Sequence, residues 1–218
     1  CEGTEMTRRT MGVYVVVCLL AGGGAAAGCS AARGEAALSG DALYGSCASC
    51  HGEAGEGDVS IGAPKLASLP RWYVALQLQR FKDGRRGKHV DDVEGLKMRA
   101  LFMKVTAEAE IDTVSTYIAG LPAQASPATV TAEAAGEESF AVCTACHGDN
   151  GEGNEALKVP PLAGMEDWYV ARQMRKFQAG VRGAIEDDRL GTQMASMAQT
   201  VDPDEVDGIA AYVRSLSR

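Results

Sequence analysis

Two Cys-x-x-Cys-His segments stand ninety-six residues apart: Cys47, Cys50 and His51, then Cys143, Cys146 and His147. Residues three apart on a helix share a face, so one short helix presents both thiols of a pair to the two vinyl groups on one porphyrin edge. The adjacent histidine then lies under the iron, where a neutral imidazole nitrogen is a standard ligand. The spacing therefore reads as covalent attachment of c-type haem, once per motif. A zinc site and a redox dithiol use similar pairs. Zinc pairs usually lie much closer together, and a thioredoxin-type dithiol needs a surrounding βαβ pattern that is missing from this chain. The expectation is two covalently bound haem c groups, with iron held by His51 and His147.

Each iron then needs a second axial group, or an open position for substrate. Met98 and Met194 follow their motifs by the same interval and are the natural candidates. Met103 and Met197 are rivals that do not match one another in the repeat: Leu101 stands opposite Met197, and Gln199 opposite Met103. They read as packing residues. His89 is matched by Ile185 and reads as a solvated histidine in a charged loop.

The elements that carry these residues follow from an internal duplication. A shift of ninety-six residues aligns Gly40–Met98 with Gly136–Met194 without a gap, with 24 of 59 positions identical. Gly40 and Gly136 open a short helix bearing Tyr44 or Phe140 and then the Cys-x-x-Cys-His motif. Gly52, Gly55 and Gly57, like Gly148, Gly151 and Gly153, are too many glycines for a helix and predict an irregular loop. Trp72-Tyr73-Val74-Ala75 and Trp168-Tyr169-Val170-Ala171 begin a helix with an apolar stripe that ends near Gly84 or Gly180. A final helix carries Ile111, Val114, Tyr117 and Ile118, or Val206, Ile209, Tyr212 and Val213; its start is marked by Thr106 and by Asp202-Pro203. No run of alternating apolar residues of strand length occurs outside the leader, so the fold class is all-α. The domain reading is a leader over 1–35, a first domain over 36–120, a Pro/Ala/Ser/Thr-rich linker over 121–132 and a second domain over 133–218. At about 85 residues each, the domains are near the lower limit for a self-sufficient core, which a buried haem would extend.

Arg8 and Arg9 precede an apolar stretch from Met11 to about Ala27, the layout of a secretory signal peptide. Ala26-Ala27-Gly28-Cys29-Ser30 resembles a bacterial lipoprotein cleavage box, though alanine stands in place of its usual leucine. Lipid attachment at Cys29 and simple cleavage of an export signal both stay open. Either outcome places the mature chain in the periplasm, free or lipid-anchored to a membrane. Four of the seven cysteines belong to the motifs and the other three to the leader, so none is left for a structural disulfide.

Taken together these residues resemble the class I c-type cytochromes, and the tandem arrangement resembles the dihaem cytochrome c4 family. The likeness rests on Pro160-Pro161-Leu162-Ala163-Gly164, Tyr169, Phe177, Gly180-Val181-Arg182, Met194, Val201-Asp202 and Ala211-Tyr212. In the first copy it rests on Pro64-Lys65-Leu66-Ala67, Tyr73, Phe81, Gly84-Arg85-Arg86, Met98, Val105-Thr106 and Tyr117. Ser68 departs from the family glycine. The resemblance implies that Met98 and Met194 are the distal ligands, that the carbonyls of Pro64 and Pro160 orient His51 and His147, and that the haem propionates meet between the domains. Arg86 and Arg182 are then candidates to neutralise a propionate, or are simply solvated.

Histidine and methionine on opposite faces leave no open site, so such an iron passes electrons rather than binding substrate. The expected function is a two-haem electron carrier between a quinol-oxidising complex or dehydrogenase and a terminal oxidase or reductase. The alternatives are a cytochrome subunit of an oxidoreductase complex and, with less support, a dihaem peroxidase, whose substrate haem needs a displaceable ligand. Residues 36–122 carry 10 basic and 11 acidic side chains, whereas residues 133–218 carry 8 and 15. This asymmetry predicts that the second domain docks a positively charged redox partner. The acid pairs Asp91-Asp92 and Asp187-Asp188 read as solvated surface. No nucleotide-binding glycine loop, nucleophile triad or basic nucleic-acid patch is present.

Overall fold

The computed structural model describes residues 38–103, 107–131 and 136–216. The leader with Cys29, and Thr106 at the expected start of a final helix, lie outside these residues. Among the described residues eight helices run in chain order: α1 (Gly40–His51), α2 (Arg71–Lys82), α3 (Val93–Phe102) and α4 (Glu108–Ala119), then α5 (Gly136–His147), α6 (Asp167–Gln178), α7 (Arg189–Ala198) and α8 (Val206–Ser215). Short 3₁₀ turns cover Val59–Ile61 and Pro203–Glu205. Among the described residues the only β-type pairings are the isolated bridges Asp58–Ala63 and Asn154–Val159, so the fold is all-α as expected.

The two halves repeat one packing scheme. In the first, α1 and α2 both pack on α4, and α3 packs on α2; in the second, α5 and α6 pack on α8, and α7 on α6. The α5–α8 crossing is close enough that a Cβ on Gly136 would lie 1.9 Å from the Gly208 carbonyl oxygen. Only glycine permits that approach. Tyr44, Val74, Leu78, Phe81, Ile111, Val114 and Ile118 form the first core. Phe140, Val170, Met174, Phe177, Val206, Ile209 and Val213 form the second, and Tyr73 from α2 crosses over to join it.

Helices α3 and α7 have no counterpart in the sequence reading, which left Met98 and Met194 in unassigned chain. Their N-termini are set by a buried acid: Asp92 Oδ1 accepts from the Gly95 N–H (3.2 Å) and Asp188 Oδ1 from the Gly191 N–H (3.0 Å). A side-chain carboxylate there satisfies one orphan donor and complements the helix dipole. The sequence signal was hidden because much of the apolar content of α3 faces outward. Asp92 and Asp188, read as solvated from the acid pairs, are only 4% and 3% exposed, which corrects that expectation.

Candidate haem sites

Each Cys-x-x-Cys-His motif occupies the last turn of its helix. α1 ends at Gly52, whose φ of +81° turns the chain sharply, so the Gly57 N–H donates to the His51 carbonyl at 2.8 Å. The following loop runs back beneath the imidazole. There His51 Nδ1 meets the Pro64 carbonyl at 2.7 Å, and His147 Nδ1 meets the Pro160 carbonyl at 2.9 Å. A carbonyl can only accept, so Nδ1 carries the proton and the Nε2 lone pair is free for a metal. Burial lowers the proton affinity of both imidazoles, against the opposing effect of those carbonyls, which favours the neutral ligating form.

A cavity of about 500 Å³ opens beside the first histidine, with Cys47, Cys50, His51 and Met98 all on its wall. A second cavity of about 170 Å³ is lined by Cys143, Cys146, His147 and Met194. The structure thus gathers all eight sequence-derived residues into two sets of four. Met103 is 62% exposed and Met197 39% exposed, so neither is the packing residue the sequence suggested; Met197 lines the second cavity together with Met194. His89 sits in the exposed loop before α3, where its Nδ1 accepts from the Asp91 N–H at 3.2 Å.

The donor chemistry separates the alternatives. Burial, and then the neighbouring Cys146, push the Cys143 thiol up to about 11, and burial likewise raises Cys47. A redox-active dithiol requires the opposite shift. Among the described residues no three His, Cys, Asp or Glu side chains converge as a zinc site would require.

The resemblance implies a meeting of propionates between the domains beside Arg86 and Arg182, and the two cavities adjoin there. Tyr73, Gln77, Tyr169 and Gln173 line both of them. Between the halves, Arg86 donates to Gln77 Oε1 (2.8 Å), to the Tyr169 hydroxyl (2.7 Å) and to Gln173 Oε1 (3.3 Å). Arg182 donates to Gln173 Oε1 (2.8 Å) and Gln77 Oε1 (3.4 Å). The guanidiniums stack on Phe81 and Phe177, 4.7 and 4.6 Å from the ring centroids. None of these partners is charged. Burial, and then the Arg86 charge, push Arg182 down to about 10. Two cations facing each other across neutral groups at the join of two cavities are suited to the carboxylates of a bound ligand, as haem propionates are. The identical pairs Tyr73/Tyr169, Gln77/Gln173 and Arg86/Arg182 were the available signal.

Among the further contacts that cross between the halves, two are related by the repeat. Arg80 of α2 donates to Asp188 at the head of α7 (2.5 Å), and Lys176 of α6 donates to Asp92 at the head of α3 (2.6 Å). Arg80 and Lys176 are repeat equivalents, as are Asp92 and Asp188. Each half therefore pins the methionine-bearing helix of the other.

The cytochrome c family model matches residues 37–122 and 133–217. The chain belongs to the cytochrome c family. A cytochrome c4 of Pseudomonas aeruginosa is 28% identical to it, over 87% of this chain and 92% of that protein. A thiosulfate dehydrogenase electron acceptor of Stutzerimonas stutzeri is 29% identical over 79% of each chain. The crystal structure of reduced recombinant cytochrome c4 from Pseudomonas stutzeri superposes with a TM-score of 0.65 at 24% identity, over 82% of this chain and 97% of that one. This cytochrome is a dihaem class I protein whose domains bind haem c covalently, and its two Cys-x-x-Cys-His motifs fit the two attachments. It is an electron-transfer protein.

Proposed function

We propose that this cytochrome is a periplasmic electron carrier in which His51 and Met98 ligate one iron and His147 and Met194 the other. Cys47, Cys50, Cys143 and Cys146 form the thioether links. The observation that carries this reading is the presence of histidine, methionine and both thiols on the wall of one cavity, twice over. When bound, the haems supply one reversible electron each. The chain's own residues do the rest: the Pro64 and Pro160 carbonyls hold the imidazoles, the methionines close the distal side, and Arg86 and Arg182 offset negative charge between the halves.

The proposed donor is a quinol-oxidising complex or a dehydrogenase, and the proposed acceptor a terminal oxidase or reductase. The acidic C-terminal half docks a basic partner, so reduction by that partner slows with added salt. A stable place as the cytochrome subunit of an oxidoreductase is the second reading, favoured by the similarity to an electron acceptor of thiosulfate dehydrogenase. Peroxidase chemistry is disfavoured because both cavities carry a methionine. Among the described residues no helix is long and apolar enough to cross a membrane. The mature chain is either free or held to a membrane by a lipid on Cys29, and mass spectrometry of the mature N-terminus distinguishes the two.

The deciding measurement uses protein matured with haem-attachment machinery. Two haems per chain, a sulfur-to-iron band in the oxidised near-infrared spectrum and no response to carbon monoxide are expected. One five-coordinate or bis-histidine haem would overturn the carrier reading.

A further inference from the structure

Helix α3 carries an apolar stripe on the side facing away from the core. At 3.6 residues per turn, Val93, Leu96, Ala100 and Met103 fall on one line, and all four are exposed: Val93 by 53%, Leu96 by 38% and Met103 by 62%. Val90, just before the helix, is 75% exposed. Met98 and Phe102 lie on the opposite side and line the first cavity. The fold itself does not require the stripe. In the second half, α7 occupies the same place with Arg189, Thr192, Ser196 and Gln199 at the four matching positions, and Glu186 stands for Val90.

Charge differs between the copies as well. Residues 82–104 carry seven basic and four acidic side chains, whereas residues 178–200 carry two and three. Lys97 flanks the α3 stripe on one side and Arg99 on the other; Gln193 and Ala195 replace them on α7. Arg85 and Lys88 are exposed in the preceding loop, and two of the four acids, Asp92 and Glu94, are already engaged by Lys176.

We infer that the outward face of α3 is the docking surface for a redox protein with an apolar centre and an acidic rim. This rests on the electron-carrier reading and extends it: the two halves engage partners of opposite charge, one through α3 and one through the acidic C-terminal half. A protein seated on α3 is separated from the first cavity by one helix thickness, about 10 Å. A lipid surface fits less well. The stripe has no aromatic residue and includes short side chains, where interfacial helices present Trp, Phe and Leu.

The second copy supplies the test, because its residues are already accommodated by the same helix. The holoprotein, labelled with ¹⁵N, is titrated with an acidic flavodoxin as the probe. We expect shifts centred on Val93, Leu96, Lys97 and Ala100, with binding weakened at least tenfold in the triple variant Leu96→Thr, Ala100→Ser, Met103→Gln. Lys97→Gln should flatten the salt dependence of binding. Shifts confined to other surfaces, or a triple variant that binds within twofold of the parent, would overturn the proposal. So would phosphatidylglycerol vesicles that retain the parent but release the triple variant, since the face would then be a membrane contact. Two reversible one-electron waves in the triple variant would leave the carrier reading intact if docking fails.

Discussion

His51 and His147 show how one hydrogen bond prepares a proposed ligand: the proline carbonyl fixes the tautomer, and burial at 4% and 7% exposure favours the neutral ring. The methionines have no such second bond, so their placement depends on the helices that carry them. Met194→Ala should open a single iron. The sulfur-to-iron band would fall by half and one carbon monoxide would bind per chain, whereas Met103→Ala should change neither spectrum. Ser68 makes a different prediction. It holds φ at +70°, where its repeat equivalent Gly164 sits at +66°. Side chains in that region cost about 1 kcal/mol or more. Ser68→Gly should therefore raise the denaturation midpoint of the first half, read by its tryptophan and tyrosine fluorescence.

At the scale of elements, the reciprocal ion pairs couple each cavity to the opposite half. Arg80 is 7% exposed and Asp188 3%, so removing the cation strands a buried carboxylate at the head of α7, a loss of about 3 kcal/mol. The consequence should be crossed. Arg80→Gln is expected to disturb the Met194 methyl resonances and the potential of the second haem more than those of the first, and Lys176→Gln to do the reverse. Arg80→Lys should restore the pattern, because lysine serves at the equivalent position in α6. If each variant perturbed only its own half, the helix heads would not transmit the contact.

For the whole molecule, the segment between the halves is docked rather than loose. Thr129 donates to Asp167 through its N–H (2.9 Å) and its hydroxyl (2.5 Å), and the Val130 N–H adds a third bond (3.2 Å). Lys65 Nζ donates to the Gln124 carbonyl (3.0 Å) and the Ser126 hydroxyl (2.6 Å). Burial alone would raise the Asp167 carboxyl, but the bonds from Thr129, Val130 and Trp168 outweigh it and hold it below the usual carboxylate range. A lowered folded-state value contributes stability that is fully present above the unfolded value, about 3.9, and lost as pH falls through the folded one. Asp167→Asn should lower the urea midpoint at neutral pH, with the gap to the parent closing in acid. A constant gap down to pH 2 would show that the effect is packing, not charge.

The haem attachment residues, the duplication and the all-α class were legible in the sequence because each depends on local chemistry. Thiol spacing, helical periodicity and glycine clusters act within a few residues. Met98 and Met194 could be picked out by their repeat equivalence, but the helices bearing them could not. α3 is half apolar on its solvent side, and its start is fixed by Asp92, an acid that looks solvated in the chain. Only the tertiary structure showed that Asp92 and Asp188 are buried and reach cations of the opposite half. It alone placed Tyr73, Gln77 and Arg86 against their own copies and gave the linker its partners. These features join residues 37 to 108 positions apart in the chain, and a chain read locally carries no term for a contact that exists only once the halves and the linker are folded together.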